Sequence, residues 1–140
     1  MDRPIVALIY DFDKTLSPKD MQEYSFLPGI NMRPDEFWSL CRELALRSQM
    51  DGILAYMYMM QKAAEGTMDL TREALNRLGA GVEFFPGVDT WFDRVNGIGR
   101  RNGVAVEHYI ISSWLLEIIE GSSIGGKFKA VFAASFCYDG

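Results

Sequence analysis

Three short apolar runs along the chain predict three β-strands. The first covers residues 5–10 and is continuously apolar and partly β-branched, with polar residues at both ends. The second covers residues 104–111, becomes continuously apolar toward its end and stops at Ser112-Ser113, and the third covers residues 130–136. Continuous apolar runs of this length are typical of parallel strands. We therefore predict a parallel sheet whose first strand is buried on both faces.

The segment between the first two strands, residues 18–87, has its apolar residues at helical spacing instead. One helix is predicted after Pro34, where two acidic residues favour a first turn. A second is predicted over residues 53–65, and a third ends at Gly79. This pattern predicts an all-helical insert.

The order of the elements indicates the fold class. A further amphipathic helix begins at Val88, and a short helix is predicted over residues 115–120, between the second and third strands. Strands that alternate with helices form parallel sheets with helices on their faces. We predict an α/β fold: a partial doubly wound, Rossmann-like parallel sheet built from residues 1–17 and 86–140, with an all-helical cap at residues 18–85.

Composition and charge exclude several classes of partner. The chain has 140 residues, enough for one hydrophobic core, and a formal net charge of -5 with its Lys and Arg residues scattered. A nucleic-acid-binding surface needs clustered positive charge, so we expect no nucleic-acid partner. The N-terminal apolar run of six residues is too short for a membrane span or a signal peptide, so we expect no membrane partner.

The number and spacing of the cysteine and histidine residues exclude one class of metal site and indicate the cellular compartment. The two cysteines, Cys41 and Cys137, form no CxxC pair, and His108 is the single histidine of the chain. A structural zinc site draws on several such ligands, so this class of site is excluded. The unpaired cysteines fit a reducing compartment, and we expect a cytoplasmic location.

Asp11 and Asp13 are the strongest candidates for chemistry. They lie in the run Asp-Phe-Asp-Lys-Thr-Leu, directly after the first predicted strand. Open α/β sheets place their ligands at this carboxyl edge. Two carboxylates one residue apart can serve one site, where one attacks phosphorus and the other transfers a proton. Mg²⁺ prefers oxygen ligands and would neutralise the charge of a phosphate ester, so we predict Mg²⁺ at Asp11 and Asp13.

With this motif in place, the sequence resembles the haloacid dehalogenase superfamily, whose first motif follows a hydrophobic strand in the same way. The resemblance implies that Asp11 is phosphorylated, that Asp13 is the acid and base and helps bind Mg²⁺, and that Thr15 holds the phosphoryl group. The helical insert is similar to the cap of the phosphoserine phosphatase-like branch. The implied function is a Mg²⁺-dependent hydrolase of small phosphate esters that forms an aspartyl-phosphate intermediate.

The superfamily's second motif is a hydroxyl residue at the end of the next core strand. Ser112 is the candidate that the resemblance implies, with Ser113 in reserve, and both would contact phosphate. The sequence departs from the family at Trp114, where a small residue is usual, and we expect this ring in a tight turn close to the phosphate. The competing interpretation is that the two serines cap the helix that follows them.

Other interpretations compete at the remaining candidate residues. Asp11 and Asp13 could be ordinary turn residues after a strand. The run of Tyr and Met at residues 56–60 could line a substrate pocket, but packing in the core is the commoner role of such residues, and the same holds for Trp38. His108 precedes Ser112 by four residues in one strand, too far for a Ser-His pair.

The superfamily's third and fourth motifs, a lysine and an acidic pair, are not recognisable after Ser113. The sequence stops at Asp139-Gly140, a dipeptide that favours a hairpin turn, so we interpret the chain as a truncated hydrolase. The alternative function is a non-catalytic relic or interaction module with the same fold. A truncated sheet has unpaired edges and a half-covered apolar face, and we expect homo-oligomers to form through its exposed edge.

Overall fold

The computed structural model describes residues 2–139 and contains one parallel three-stranded sheet. Its strands are β1 (Ile5–Tyr10), β2 (Ala105–Leu115) and β3 (Ala130–Ala134), in the order β1-β2-β3. The register places Ile5 beside Ala105 and Tyr109 beside Ala130. The predicted α/β fold with a parallel sheet is therefore confirmed.

Helices make up the segment between β1 and β2, as predicted. The helices of the whole chain are α1 (Phe26–Gly29), α2 (Pro34–Ser48), α3 (Gly52–Ala64), α4 (Arg72–Leu78), α5 (Val88–Arg101) and α6 (Leu116–Gly121). Single 3-10 turns cover Met21–Glu23, Gly79–Gly81 and Gly125–Lys127. Proline opens α2, and the Asp51 side chain caps α3 by accepting from the Ile53 amide at 2.8 Å. None of the helices in residues 2–139 has the length and apolar character of a membrane span.

One face of the sheet is covered by α5. Phe92 is fully buried there and contacts Tyr10 and His108 edge to face, with ring centroids 5.8 and 5.1 Å apart. Gly99 allows the close approach of helix and sheet, because a Cβ at this position would lie 2.7 Å from a methyl carbon of Val106. The glycine therefore sets the distance between α5 and β2.

A chain of hydrogen bonds satisfies the polar groups on this covered face. The Trp91 indole N–H donates to the Tyr10 hydroxyl at 2.9 Å, and that hydroxyl lies 2.8 Å from His108 Nδ1. His108 Nε2 lies 2.9 Å from Asn96 Oδ1 on α5. A neutral imidazole with its proton on Nε2 satisfies every bond in the chain. His108 thus serves the structure of the core.

The opposite face of the sheet is largely uncovered, and the prediction that β1 is buried on both faces is wrong. Ile5 and Ile9 are each 61% exposed, and Ile111 and Phe132 are 57% and 60% exposed. Within β1, Leu8 and Tyr10 are half-buried and the other four residues are exposed. Because every residue of the strand is apolar, the sequence pattern does not reveal which positions are covered. An uncovered face agrees with the expectation of a half-covered apolar sheet.

Two strand ends differ from the prediction. Strand β2 continues through Ser112 and Ser113 to Leu115, and its register against β3 shifts between Ile111 and Leu115. Trp114 therefore lies in an irregular strand end, and its predicted tight turn is wrong. Strand β3 ends at Ala134. The predicted turn at Asp139-Gly140 includes Gly140, which lies outside the described residues.

The helical insert is joined to the core by backbone contacts between α4 and α6. A Cβ at Gly121 would lie 1.8 Å from the Asn76 carbonyl oxygen, and one at Gly79 would lie 2.3 Å from the Ile118 carbonyl oxygen. Helices α2 and α3 instead pack on each other. The insert thus contacts the core closely at α4, while its two long helices, α2 and α3, pack against each other.

Candidate active site

The loop after β1 is a compact turn that organises Asp11 and Asp13. The amides of Leu16 and Thr15 donate to the Phe12 carbonyl at 2.9 and 3.2 Å, while the Phe12 ring is fully buried. Lys14 adopts a left-handed conformation with φ 61°, which completes the reversal of the chain. The buried Phe12 ring thus anchors residues 11–16, which we call the motif loop. Asp11 and Asp13 precede and follow Phe12 in the chain.

Asp11 is exposed to solvent at the end of the sheet. Its Oδ1 accepts a hydrogen bond from the amide of Phe12 at 2.8 Å, which fixes the orientation of the carboxylate. Its second oxygen makes no hydrogen bond within residues 2–139. An oriented carboxylate with a free, accessible oxygen has the properties that a nucleophile needs.

Asp13, two residues later, has the opposite surroundings. It is 5% exposed, and neither of its carboxylate oxygens has a hydrogen-bond partner among the described residues. Burial raises the pKa of Asp13 to about 8; the nearby Met21 backbone amide offsets part of this rise, and the negative charges of Asp20 and Asp11 add to it. A carboxyl group with a raised pKa has a property that a general acid needs.

Asp20 is a site residue that the sequence interpretation missed. It forms an ion pair with Lys14, with 3.1 Å between Lys14 Nζ and Asp20 Oδ2. Its backbone amide also donates to Glu23 Oε2 at 3.1 Å, one half of a capping box at the 3-10 turn. The spacing of Asp20 and Glu23 was a visible signal for this turn. That spacing did not predict the ion pair between Asp20 and Lys14.

The three predicted phosphate-binding residues lie in two places. Thr15 is exposed in the motif loop, while Ser112 and Ser113 lie at the irregular end of β2. Ser112 Oγ accepts from the Trp114 amide at 3.1 Å, and the Ser113 carbonyl accepts from the Tyr56 hydroxyl at 3.1 Å. Neither serine caps α6, whose N-cap residue is Leu115, so the capping interpretation is wrong.

A cavity of about 560 Å³ lies between the motif loop, the end of β2 and helices α2 and α3. Its core-side wall includes Lys14 and Ser113, which are the chain neighbours of Asp13 and Ser112. The complete lining is Lys14, Asp20, Trp38, Cys41, Arg42, Ala45, Asp51, Gly52, Ile53, Tyr56, Ser113 and Trp114. The cavity therefore joins the predicted catalytic edge to the helical insert.

Three aromatic rings form much of the cavity wall. The ring centroid of Trp114 lies 4.5 Å from that of Tyr56 and 5.2 Å from that of Trp38. Tyr56 is 1% exposed, and burial raises the pKa of its hydroxyl well above the ordinary value. Tyr56 therefore combines both roles weighed from the sequence, because it packs in the core and also lines the cavity.

The chain's own donors fit a magnesium ion only in part. Within residues 2–139 no group of three His, Cys, Asp or Glu side chains is arranged to hold a metal ion. Asp11, however, has an exposed carboxylate whose second oxygen makes no hydrogen bond within residues 2–139, and such an oxygen is free to bind a cation. Mg²⁺ in phosphoryl-transfer sites is commonly held by one or two carboxylates, together with water and substrate phosphate. Asp11 meets this smaller requirement with its carboxylate, and the backbone carbonyl oxygen of Asp13 would be a further ligand.

Two solved structures share this arrangement of sheet and helices. A phosphoserine phosphohydrolase-like protein from Francisella tularensis superposes with a TM-score of 0.59 and 16% identity, over 99% of this chain and 61% of that chain. The chain has a haloacid dehalogenase-like fold. A haloacid dehalogenase family hydrolase from Salmonella enterica serovar Typhi gives a TM-score of 0.57 and 15% identity, over 98% of this chain and 43% of its own.

Sequence comparison gives a relative without an assigned function. An uncharacterised protein of Borreliella burgdorferi is 29% identical over 143 aligned positions, which cover 94% of this chain and 50% of the relative. No protein-family model matches the chain. The haloacid dehalogenase-like chain thus spans about half the length of the curated relative that it matches.

Proposed function

We propose that the chain carries the nucleophile and the proton donor of a Mg²⁺-dependent phosphatase that hydrolyses small phosphate esters. The observation that carries this proposal is the contrast between the two motif aspartates. Asp11 is exposed and oriented, while burial raises the pKa of Asp13 to about 8. A carboxyl group whose pKa is raised by burial, close in the chain to an exposed carboxylate, is typical of acid–base sites.

The reaction proceeds in two steps that use both aspartates. In the first, an Asp11 oxygen forms a bond to phosphorus, the bond to the ester oxygen breaks, and Asp13 gives its proton to the leaving alcohol. In the second, ionised Asp13 takes a proton from water, whose oxygen attacks phosphorus. The aspartyl-phosphate bond then breaks, so that phosphate leaves and both aspartates return to their starting states.

Asp11 through its carboxylate and Asp13 through its backbone carbonyl oxygen would hold the Mg²⁺ ion. The ion would neutralise negative charge on the phosphoryl group. The remaining contacts to that group come from the chain itself. Thr15 is exposed beside the two aspartates, and Ser112 or Ser113 would contact the phosphoryl oxygens from the end of β2.

The cytoplasmic location of the protein stays a prediction.

A second candidate function is supported by a specific observation. The described residues lack a group of three metal-binding side chains, and the chain corresponds to 61% and 43% of the solved hydrolases it resembles. A haloacid dehalogenase-like module without turnover would lack a group of metal-binding side chains of this kind, whatever the length of the whole protein. Such a module would still bind phosphate esters at the motif loop, so binding and hydrolysis have to be measured separately.

The deciding experiment is hydrolysis of an aryl phosphate by the purified chain, with and without Mg²⁺, beside an Asp11→Asn variant. The matched control is Asp89→Asn. Asp89 is also exposed, and its Oδ1 also accepts from the next amide, at 3.0 Å, but it belongs to the first turn of α5 and not to the motif loop. Metal-dependent hydrolysis that Asp11→Asn abolishes and Asp89→Asn leaves intact supports the phosphatase. Absence of turnover in a folded sample supports the non-catalytic module.

A further inference from the structure

We propose that the cavity beside the motif loop selects phosphate esters whose leaving group is a planar aromatic ring. This inference deepens the proposed function and rests on it for the position of the phosphate. The selectivity itself follows from the size, the wall and the polar groups of the cavity, each of which is independent of turnover.

The size of the cavity exceeds what a small phosphate ester fills. Its volume of about 560 Å³ lies within the range of roughly 300–1,000 Å³ that is typical of sites for drug-sized ligands. A phosphate group with a three-carbon leaving group would occupy a minor part of it. A fused or substituted ring would fill more of this space and displace more water from its apolar walls.

The wall itself favours a flat apolar group. Trp38, Tyr56 and Trp114 line one region of the cavity, and their ring planes are inclined to one another by 57° to 63°. Tyr56 is 1% exposed, so the half-buried rings of Trp38 and Trp114 provide the surface that a guest ring can contact. Aromatic rings prefer offset-stacked and edge-to-face contacts, and two inclined indoles offer both. The remaining apolar lining includes Ile53 and Ala45. A planar guest is thus matched on several sides.

Several polar side chains of the lining already have partners. Lys14 pairs with Asp20, Asp51 accepts from the Ile53 amide, and the Tyr56 hydroxyl donates to the Ser113 carbonyl. The Trp38 indole N–H is buried without a partner among the described residues. A leaving group rich in hydroxyl groups would therefore lose more hydrogen bonds to water than this lining replaces. A ring loses few such bonds on binding, so the difference in affinity favours the aromatic ester.

The location of the cavity connects this preference to the proposed chemistry. Lys14 and Ser113 form its core-side wall, one residue away from Asp13 and from Ser112. Among the predicted site residues, Ser113 lines the cavity, while Asp11, Asp13, Thr15 and Ser112 lie outside its lining. The phosphate of a ring held against Trp114 would therefore extend out of the cavity past Lys14 toward Asp11. The aromatic wall extends from β2 to α2 and α3, so the core and the insert both contribute to selection.

The test is binding of naphthyl phosphate and glycerol phosphate to the full chain by calorimetry. We expect naphthyl phosphate to bind at least about tenfold more tightly. Trp114→Ala should weaken binding of naphthyl phosphate about three- to tenfold and leave glycerol phosphate unchanged, since each aromatic contact contributes an amount of this order. Trp114→Phe keeps a ring and should restore most of the lost affinity. Trp91→Phe, a substitution outside the cavity, is the matched control.

Each outcome bears on one hypothesis or the other. Equal binding of the two esters, or an unchanged preference in a folded Trp114→Ala variant, would overturn the aromatic selectivity even if both esters are hydrolysed. Selective binding without Mg²⁺-dependent hydrolysis would support the aromatic site and contradict the phosphatase. Binding of neither ester overturns the selectivity. If Trp114→Ala fails to fold, the comparison of Trp114→Phe with the unchanged chain decides, because the smaller ring should lower the preference by a measurable fraction.

Discussion

Two buried ionisable side chains, His108 and Asp13, have nearly the same exposure and opposite surroundings. His108 is 3% exposed and Asp13 is 5% exposed. Both nitrogens of His108 have partners, at 2.8 Å in Tyr10 and 2.9 Å in Asn96. Neither oxygen of Asp13 has a partner within residues 2–139. The polar groups of His108 are therefore satisfied within the core. Asp13 is instead a buried carboxyl group without hydrogen bonds among the described residues, next to residues that line the cavity, and its ionisation would destabilise the fold.

The two residues are also expected to have opposite effects on stability as the pH changes. Burial lowers the pKa of His108, so the unfolded chain takes up a proton first as the pH falls, and stability is lost in acid. Burial raises the pKa of Asp13 to about 8, so the unfolded chain loses that proton first as the pH rises. Stability is then lost between about pH 4 and pH 8. The two pH dependences therefore distinguish the hydrogen-bonded histidine of the core from the buried carboxyl group of the motif loop.

The largest effect is expected from Asp13→Asn, which removes the buried carboxyl group. At pH 8 without Mg²⁺, the variant should be more stable by about 2–4 kcal/mol, because a pKa raised by burial is a destabilisation of the ionised form. At pH 4 the two proteins should have nearly equal stability. Thermal unfolding followed by circular dichroism at both pH values measures this difference, and an equal gain at both would contradict the buried, unpartnered carboxyl.

A loss of stability is expected from Tyr10→Phe on the covered face. The substitution leaves His108 Nδ1 and the Trp91 indole N–H without their shared partner, at a cost of about 1–3 kcal/mol. Tyr109→Phe is the matched control on the other face. Its hydroxyl donates to Glu107 at 2.5 Å near the surface, and its loss should cost less than about 0.5 kcal/mol. Urea unfolding at pH 7 compares the two, and equal losses would count against the hydrogen-bond chain.

A smaller effect is expected from the titration of His108. In the Asp13→Asn background, stability should fall as the pH drops below the ordinary histidine pKa, about 6.5, because the folded chain resists protonation there. His108→Gln in the same background should remove this fall. Urea unfolding between pH 5 and pH 7 measures both slopes. A parallel decline in the two proteins would show that another group is responsible.

The smallest change in stability is expected on the uncovered sheet face, where an exposed apolar side chain has neither burial nor a hydrogen bond to lose. Phe132→Ser should change the free energy of unfolding by less than about 0.5 kcal/mol, because the ring is 60% exposed. It should reduce self-association, since homo-oligomers of this chain are expected to cover exposed apolar sheet. Sedimentation at several concentrations measures this. A loss of several kcal/mol would mean that the ring is buried in solution.

The sequence predicted the elements well because each has a local signature. The limits of β1 and the helical character of the insert follow from apolar spacing, and Asp11 and Asp13 follow β1 as expected. Which face of β1 is covered could not be predicted. That depends on where α5 packs, while an all-apolar strand has the same pattern whether one face or both are buried.

The site was predicted only where it is local in the chain. Asp20 reaches Lys14 because the loop reverses its direction around Phe12, and no spacing rule encodes that contact. Trp114 was expected in a tight turn because the family resemblance places a small residue there, close to the phosphate. Strand β2 instead passes through both serines with a shift in register, and the indole becomes a wall of the cavity.

The two glycines at the contact of α4 with α6 determine how one side of the helical insert is held. A Cβ at Gly79 or Gly121 would collide with backbone atoms, so a larger residue at either position would push α4 away from α6. On the other side of the insert, Tyr56 of α3 donates a hydrogen bond to the Ser113 carbonyl and packs against Trp114. Backbone packing therefore fixes the α4 side of the insert, whereas side-chain contacts connect the cavity side to β2.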